Sequence, residues 1–298
     1  MIHVTNGDCA VQVLQKAVRG EFLPWRDVLH EGPVHAGLPL DALSRRRVAF
    51  IASAGLGTLE KIQREFEERD SVLRDAGRHD EVVLWFEHDL YDQLQLIQLL
   101  DWFAAHPHPR LSLVNPAEYL GTMTPARAAD LFAQRIPVSE AQLRAASAAW
   151  AAFGGPNPQA ISTAFAPELP FLAAALHRLL QEFPWTSDGL SRLERQALEA
   201  LRDGPLAFKD LFPRAHHWRE EPVFLADAVL KWHLERLAAD GLVERTELFS
   251  VTARGRAVLS GRSDAWSQPR RARWIGGYEV NDGRLRWDAD SVRLVRRS

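Results

Sequence analysis

The chain has 298 residues, enough for about two domains. Hydrophobic residues make up 46% and charged residues 25%, a globular composition that excludes a disordered, collagen-like or coiled-coil chain for the bulk of the sequence. The net charge of −3 is small, and no apolar run approaches the ~20 residues of a membrane span, so no membrane partner is expected.

The opening residues MIHVTNGD hold no basic region followed by an apolar stretch, so no signal peptide is expected and a cytoplasmic location is the simple reading. Residues 2–5 predict a strand, Asn6-Gly7-Asp8 a turn, and residues 9–18 a helix with Val11, Leu14 and Val18 at helical spacing. Asp8 is placed to cap that helix and Gly20 to end it. Cys9 is the one cysteine, which excludes an internal disulfide and a zinc site with two Cys ligands. Behind a turn it reads as a small buried residue, with a thiol activated by the helix N-terminus as the alternative.

Residues 21–40 hold three prolines and two glycines and predict an irregular segment carrying Trp25, Asp27, His30 and Glu31. A loop of this length is more often functional than a mere connection. Residues 41–76 read as helical, with Leu59, Ile62 and Phe66 on one apolar stripe. Residues 82–86 (VVLWF) are a continuous apolar run, the pattern of a parallel strand buried on both faces. Glu87, His88, Asp89, Tyr91, Asp92 and Gln93 follow at once, then a buried helix over 94–103 and a strand over 111–114. From about Gly121 the strands stop; 125–152 reads as Ala-rich helix, 153–170 as a break, and 171–183 as an apolar helix packing between the two halves.

Helices are predicted over 190–201, 207–212 and 223–239, strands over 242–245 and 249–252, and another helix from Ala253. Three helices followed by a hairpin, with DGLVER and FSVTARGRAVL, look like a winged helix. In the tail, Asn281-Asp282-Gly283 between alternating segments is a hairpin signal. The fold expected is therefore α/β: a small parallel-type α/β N-terminal domain (1–120), a helical connector (121–185), and a winged-helix-like C-terminal domain with a terminal β-hairpin (186–298).

Three motifs, HVTNGD at 3–8, WRDVLHEGPV at 25–34 and LWFEHDLYDQLQL at 84–96, resemble the bacterial family called domain of unknown function 1835. The match covers about residues 1–120, with the motifs in the family's order. The resemblance brings no established activity with it. Where the family commonly has a serine after the NGD-type turn, this chain has Cys9.

Open α/β sheets bind ligands outside the carboxyl ends of their strands. That rule brings Asn6, Gly7 and Asp8 to the same edge as Glu87, His88, Asp89, Asp92 and Gln93, with the irregular loop closing over them. In the expected small-molecule pocket, Asp8, His30, His88 and Asp89 would carry catalysis. Asn6, Gly7, Trp25, Asp27, Glu31, Asp92 and Gln93 would bind the ligand. Three chemistries suit such a set. A divalent metal could sit on Asp8, Asp27, His30, Glu87, His88 and Asp89, although no spacing matches a strong metal signature. A carboxylate beside His30 or His88 could do acid–base work. The first-turn amides after Asn6 could meet an anion such as a nucleotide phosphate. The competing structural reading has Asp8 and Asp92 capping helices and the histidines bonded to loop backbone. Ligand, reaction and cofactor identity stay open.

The C-terminal half supports an alternative. From Leu190 onward 20 Arg and Lys face 16 Asp and Glu, and from Arg254 onward 11 basic residues, all Arg, face 5 acids. Arg254, Arg256, Arg262, Arg270, Arg271 and Arg273 could touch backbone phosphate. The predicted third helix, however, begins Pro222-Val223-Phe224-Leu225-Ala226-Asp227, apolar and acidic, which is poor for reading bases. The alternative function is a non-enzymatic regulator that binds nucleic acid or, on this evidence preferably, a protein partner. An interaction scaffold whose N-terminal motifs serve only folding is the third reading.

Overall fold

Alternation in the first strand sets up two cores. In the computed structural model, which describes residues 1–297, β1 (Ile2–Thr5) sends Ile2 and Val4 to one face and His3 and Thr5 to the other. Next come α1 (Gly7–Ala17), β2 (Glu21–Pro24), β3 (Gly32–Pro33), α2 (Leu40–Ser53), α3 (Leu59–Arg74), β4 (Val82–Trp85), α4 (Leu90–Ala105), β5 (Leu111–Val114), α5 (Pro125–Ala133) and β6 (Ile136–Pro137). The first sheet has the order β2-β1-β4-β5-β6, parallel except for the last pairing, β5 with β6. The segment read as irregular thus contains β2 and β3, and β6 continues the sheet past Gly121. These strands are two to four residues long, too short for an alternation signal to stand out.

Helices cover both faces. Ala10 and Leu14 of α1 and Ala128 of α5 pack with Val83 and Trp85. On the opposite face Val82, Leu84 and Phe86 meet Leu94, Leu96 and Ile97 of α4 and Ala146, Ala149 and Trp150 of α6 (Glu140–Phe153). A strand covered on both sides must be apolar throughout, which is why residues 82–86 show no alternation. Buried α4 carries three glutamines, and each has a task. Gln98 accepts from the Trp25 indole at 2.9 Å, Gln95 donates to the Asp27 carbonyl at 2.8 Å, and Gln93 donates to the Glu87 carbonyl at 2.6 Å.

The chain continues through α7 (Leu172–Leu180), α8 (Arg192–Ala200), α9 (Phe208–Phe212), α10 (Asp227–Ala239), β7 (Val243–Arg245), β8 (Phe249–Val251) and α11 (Ala253–Leu259). Their apolar residues form a second core around Leu193, Ala197, Leu230, Leu234 and Val258. The helix expected from Val223 begins four residues later. A single π-helical turn over Pro213–His217 follows α9. The last strands are β9 (Arg273–Gly276), β10 (Tyr278–Val280), β11 (Leu285–Asp288) and β12 (Arg293–Arg296).

The terminal hairpin is β11 with β12. Asn281-Asp282-Gly283, expected at a hairpin, instead joins β10 to β11, which lie in different sheets. β9 pairs antiparallel with β10 and parallel with β3, so the tail is hydrogen-bonded to the first forty residues. Gly276 lets the same strand pass close to the end of α6: its φ is +57°, and a Cβ there would lie 2.1 Å from the Phe153 carbonyl oxygen. No helix among the described residues is long and apolar enough to cross a membrane.

Candidate functional site

β1 leads through α1 to β2 on one side of the sheet, and the later crossover enters β4 on the other side. The connections diverge between the carboxyl ends of β1 and β4, the crevice where open α/β sheets take ligands. Asn6 leaves β1 there, and Glu87, Asp89 and Asp92 leave β4. Asp89 is the N-cap of α4 and accepts from the Asp92 amide at 3.0 Å. Asp92, one turn on, accepts from the Glu87 amide at 2.8 Å and from the Asn6 side chain at 2.5 Å. Glu87 accepts from the Leu120 amide at 2.7 Å, which ties in the turn after β5.

These bonds hold three carboxylates together. One oxygen from each of Glu87, Asp89 and Asp92 lies within 4.8 Å of the others, and all three residues are buried. Burial, then the neighbouring Asp89, pushes Glu87 up to about 7 against two amide bonds that oppose the shift. Burial likewise raises Asp89 to about 6, and burial with Asp89 and Glu87 raises Asp92 well above the usual carboxylate range. The N-terminal dipole of α4 favours negative charge but does not cancel three of them.

Elsewhere the fold treats buried acids differently. Asp27 pairs with Arg47, Glu31 with Arg273, Asp70 with Arg69, and Glu81 with Arg135. Glu182 and Glu220 share Arg178, Asp188 pairs with Arg195, and Glu194 with Arg270. Among the described residues, Glu87, Asp89 and Asp92 are the buried acids without a basic partner.

The other predicted site residues lie apart from this cluster or serve other contacts. Gly7 opens α1 with φ +63° and has open space at its Cβ position. Asp8 does not cap α1, whose N-cap is Asn6. Its exposed carboxylate pairs with Arg26, whose hydrogen bond lowers its pKa. Cys9 is exposed, not buried. Trp25 is fully buried, with its indole spent on Gln98 and the Arg69 guanidinium 4.0 Å from its ring centre, so it has no face for a ligand. Asp27 is held by Arg47. Glu31 accepts from Arg273 at 2.9 Å and lies 2.9 Å from His233; against its burial, these two keep it ionised.

His30 is buried between Tyr91 and Phe224 with both ring nitrogens unpartnered, and burial lowers its pKa to about 4. His88 is half-buried against Tyr119 and Phe171, with Nδ1 unpartnered. It lines a cavity of about 220 Å³ with Arg178, Arg192 and Glu220. Gln93 is buried beside Glu87, with its carbonyl oxygen unpartnered. The structure therefore brings together Asn6, Glu87, Asp89, Asp92 and Gln93. A cleft of about 730 Å³ lies at the opposite end of α4 around Trp102, His106 and Trp150 and contains none of them.

The arginines of the C-terminal half are mostly committed. Arg270 bonds Glu194 and Asp240, Arg273 bonds Glu31 and Glu182, and Arg254 and Arg256 donate to backbone carbonyls. On α10, Lys231 sits 4.6 Å over the Phe208 ring and Arg236 donates to the carbonyls of Arg271 and Ala272.

Two contributions were hidden from the sequence. The backbone amide of Leu120 reaches Glu87 across thirty-three residues, and no side-chain pattern announces it. The central position of Asp92 was masked by its helix-cap spacing, although its place one turn after Asp89 was the available signal. No family model matches this sequence, and no curated protein or solved structure matches it.

Proposed function

We propose that the protein binds a divalent cation through Glu87, Asp89 and Asp92 and uses it to hold a small oxygen-bearing ligand at the carboxyl edge of the sheet. One observation carries the reading: among the described residues, three buried carboxylates converge without a basic partner while every other buried acid has an arginine. Carboxylate oxygens are the preferred ligands of magnesium, manganese and calcium. Asn6 and the amides of Leu120 and Asp92 orient the carboxylates from behind, as outer partners orient metal ligands. His88 lies between two of the acids in sequence, but its ring packs against Tyr119 and Phe171 and has no part in this site. Of the motifs resembling domain of unknown function 1835, HVTNGD supplies Asn6 and LWFEHDLYDQLQL the three acids.

A second reading has its own support. An acid raised to about 7 is poised for general acid–base catalysis without a metal, and Glu87 is such a group. A thermal-shift titration with magnesium, manganese and calcium separates the two. Stabilisation that disappears in Asp89→Asn supports the cation site, and no stabilisation by any of the three leaves the proton-transfer reading.

We read the C-terminal half as a packing module of winged-helix type. Leu206 bridges to Phe249 beside the β7–β8 hairpin, as a short extra strand of a wing would. The engaged basic residues of α10 favour protein contact over nucleic-acid contact.

A further inference from the structure

The last turns of α4, the start of α2, the turn after α3 and the end of α6 enclose the cleft of about 730 Å³ that lies away from the carboxylate cluster. Its volume is that of a small-molecule site. Gln98, Asp101 and Trp102 stand at i, i+3 and i+4 on α4, so they share the helix face that forms one wall. Leu38, Leu40 and Ala105, each at least partly exposed, give the cleft an apolar lining. Trp102 is also partly exposed, and stacking on His106 at 4.3 Å holds its ring in the wall.

The fold leaves two polar groups of this wall open. Gln98 is 5% exposed, and its oxygen is taken by the Trp25 indole. Its amide nitrogen has no partner among the described residues and is not sealed from solvent, so its N–H groups meet the cleft that Gln98 lines. Asp101 is half-buried and forms no ion pair among the described residues; Ser147 bonds its carboxylate, and burial raises its pKa against that bond. A carboxylate drawn partly out of water without a counter-ion costs free energy that a bound cation recovers. Arg74, the arginine of the lining, is exposed at the rim together with Asp41, where solvent screens both. His106 and His108 each turn a ring nitrogen to a backbone carbonyl, of Trp102 and of His79. The unanswered charge inside the cleft is therefore that of Asp101.

Together these groups define a ligand. An ammonium group answers the carboxylate, an apolar body answers the leucines, and an oxygen or an aromatic face on that body accepts from the Gln98 amide. We propose that this cleft binds a primary amine carried on an aromatic body, with the ammonium on Asp101 and the ring against Leu38 and Leu40, where it accepts from Gln98. This site stands independently of the cation site.

The test is equilibrium dialysis of phenethylamine, tyramine and tryptamine against the full chain at neutral pH in excess EDTA, which removes the cation site from the result. At least one amine binds saturably, and the propionate of the same ring, which carries a carboxylate in place of the ammonium, binds at least tenfold more weakly. Asp101→Asn keeps an oxygen for Ser147, removes the charge and weakens amine binding at least tenfold. If that variant fails to fold, Leu38→Ser, in the loop before α2, decides alone with a several-fold loss. The proposal is overturned if none of the three amines binds, if the matching propionate binds as well as the amine, or if folded Asp101→Asn and Leu38→Ser bind like the wild type.

Discussion

The Asn6 side chain donates to the Asp92 carboxylate at 2.5 Å, joining the exit of β1 to the first turn of α4 across eighty-six residues. This bond spans the crevice where the sheet's connections diverge. It also fixes one oxygen of the most deeply buried acid in the cluster, leaving the arrangement of Glu87 and Asp89 to complete the site. Asn6→Ala should therefore weaken cation binding by about 10–100-fold, the usual effect of removing an outer partner of a metal ligand. Titration calorimetry with manganese checks this; unchanged affinity would mean that Asn6 only closes a turn.

The raised acids set a pH dependence with a definite sign. Glu87 and Asp89 titrate at about 7 and about 6 in the folded chain, against ordinary values of 4.5 and 3.8. The folded state therefore binds protons that the unfolded state has released. Their contribution to stability is present below the ordinary values and is lost as pH rises through about 6 to 7. A divalent cation competes with those protons, so its stabilisation should grow over the same interval. Melting temperatures across that range, with and without manganese, should diverge as pH rises; parallel curves would contradict the assignment.

His30 gives the opposite sign. Its pKa falls from 6.5 to about 4, so stability present above the ordinary value is lost as pH drops toward the folded one. Both nitrogens are buried without partners, so His30→Leu should stabilise the protein by about 1–3 kcal/mol, less whatever ring packing is lost. The variant's chemical denaturation midpoint should rise and depend less on pH in the acid range. A fall in the midpoint, or loss of the manganese response, would return His30 to the functional site.

Arg273 joins the tail to the N-terminal loop through Glu31 and to α7's end through Glu182. Arg273→Met leaves buried Glu31 to His233 and buried Glu182 to Arg178, and should cost about 3–5 kcal/mol. By contrast, Asp8→Ala removes an exposed pair and should change stability by less than about 1 kcal/mol. Urea unfolding of both variants measures the difference, and similar losses in the two would overturn this division between buried and exposed pairs.

Much of the scaffold was legible in local pattern. The apolar run 82–86, the turn at Asn6-Gly7 and the polar burst from Glu87 to Gln93 located the sheet edge, because strands covered on both faces and the loops after them leave strong signals. The short strands β2, β3 and β6 did not, because two to four residues paired by backbone alone carry little periodicity. In the site, Glu87, Asp89 and Asp92 could be read as neighbours by spacing. That Asp27 and Glu31 belong to arginines could not, since Arg47 and Arg273 come to them from distant segments. The same long-range pairing explains why the arginine-rich tail resembled a phosphate-binding surface: charge counts do not record which arginines already hold a carboxylate.

The most direct test of the cation site is titration calorimetry of manganese into the wild-type chain and Asp89→Asn at mildly alkaline pH, where the carboxylates are ionised. Asp89→Asn retains an oxygen for the Asp92 amide and removes one charge, so the variant should fold. The cation site predicts one saturable manganese site in the wild type and at least a tenfold loss of affinity in the folded variant. Equal binding by both proteins, or no binding by the wild type, would contradict it.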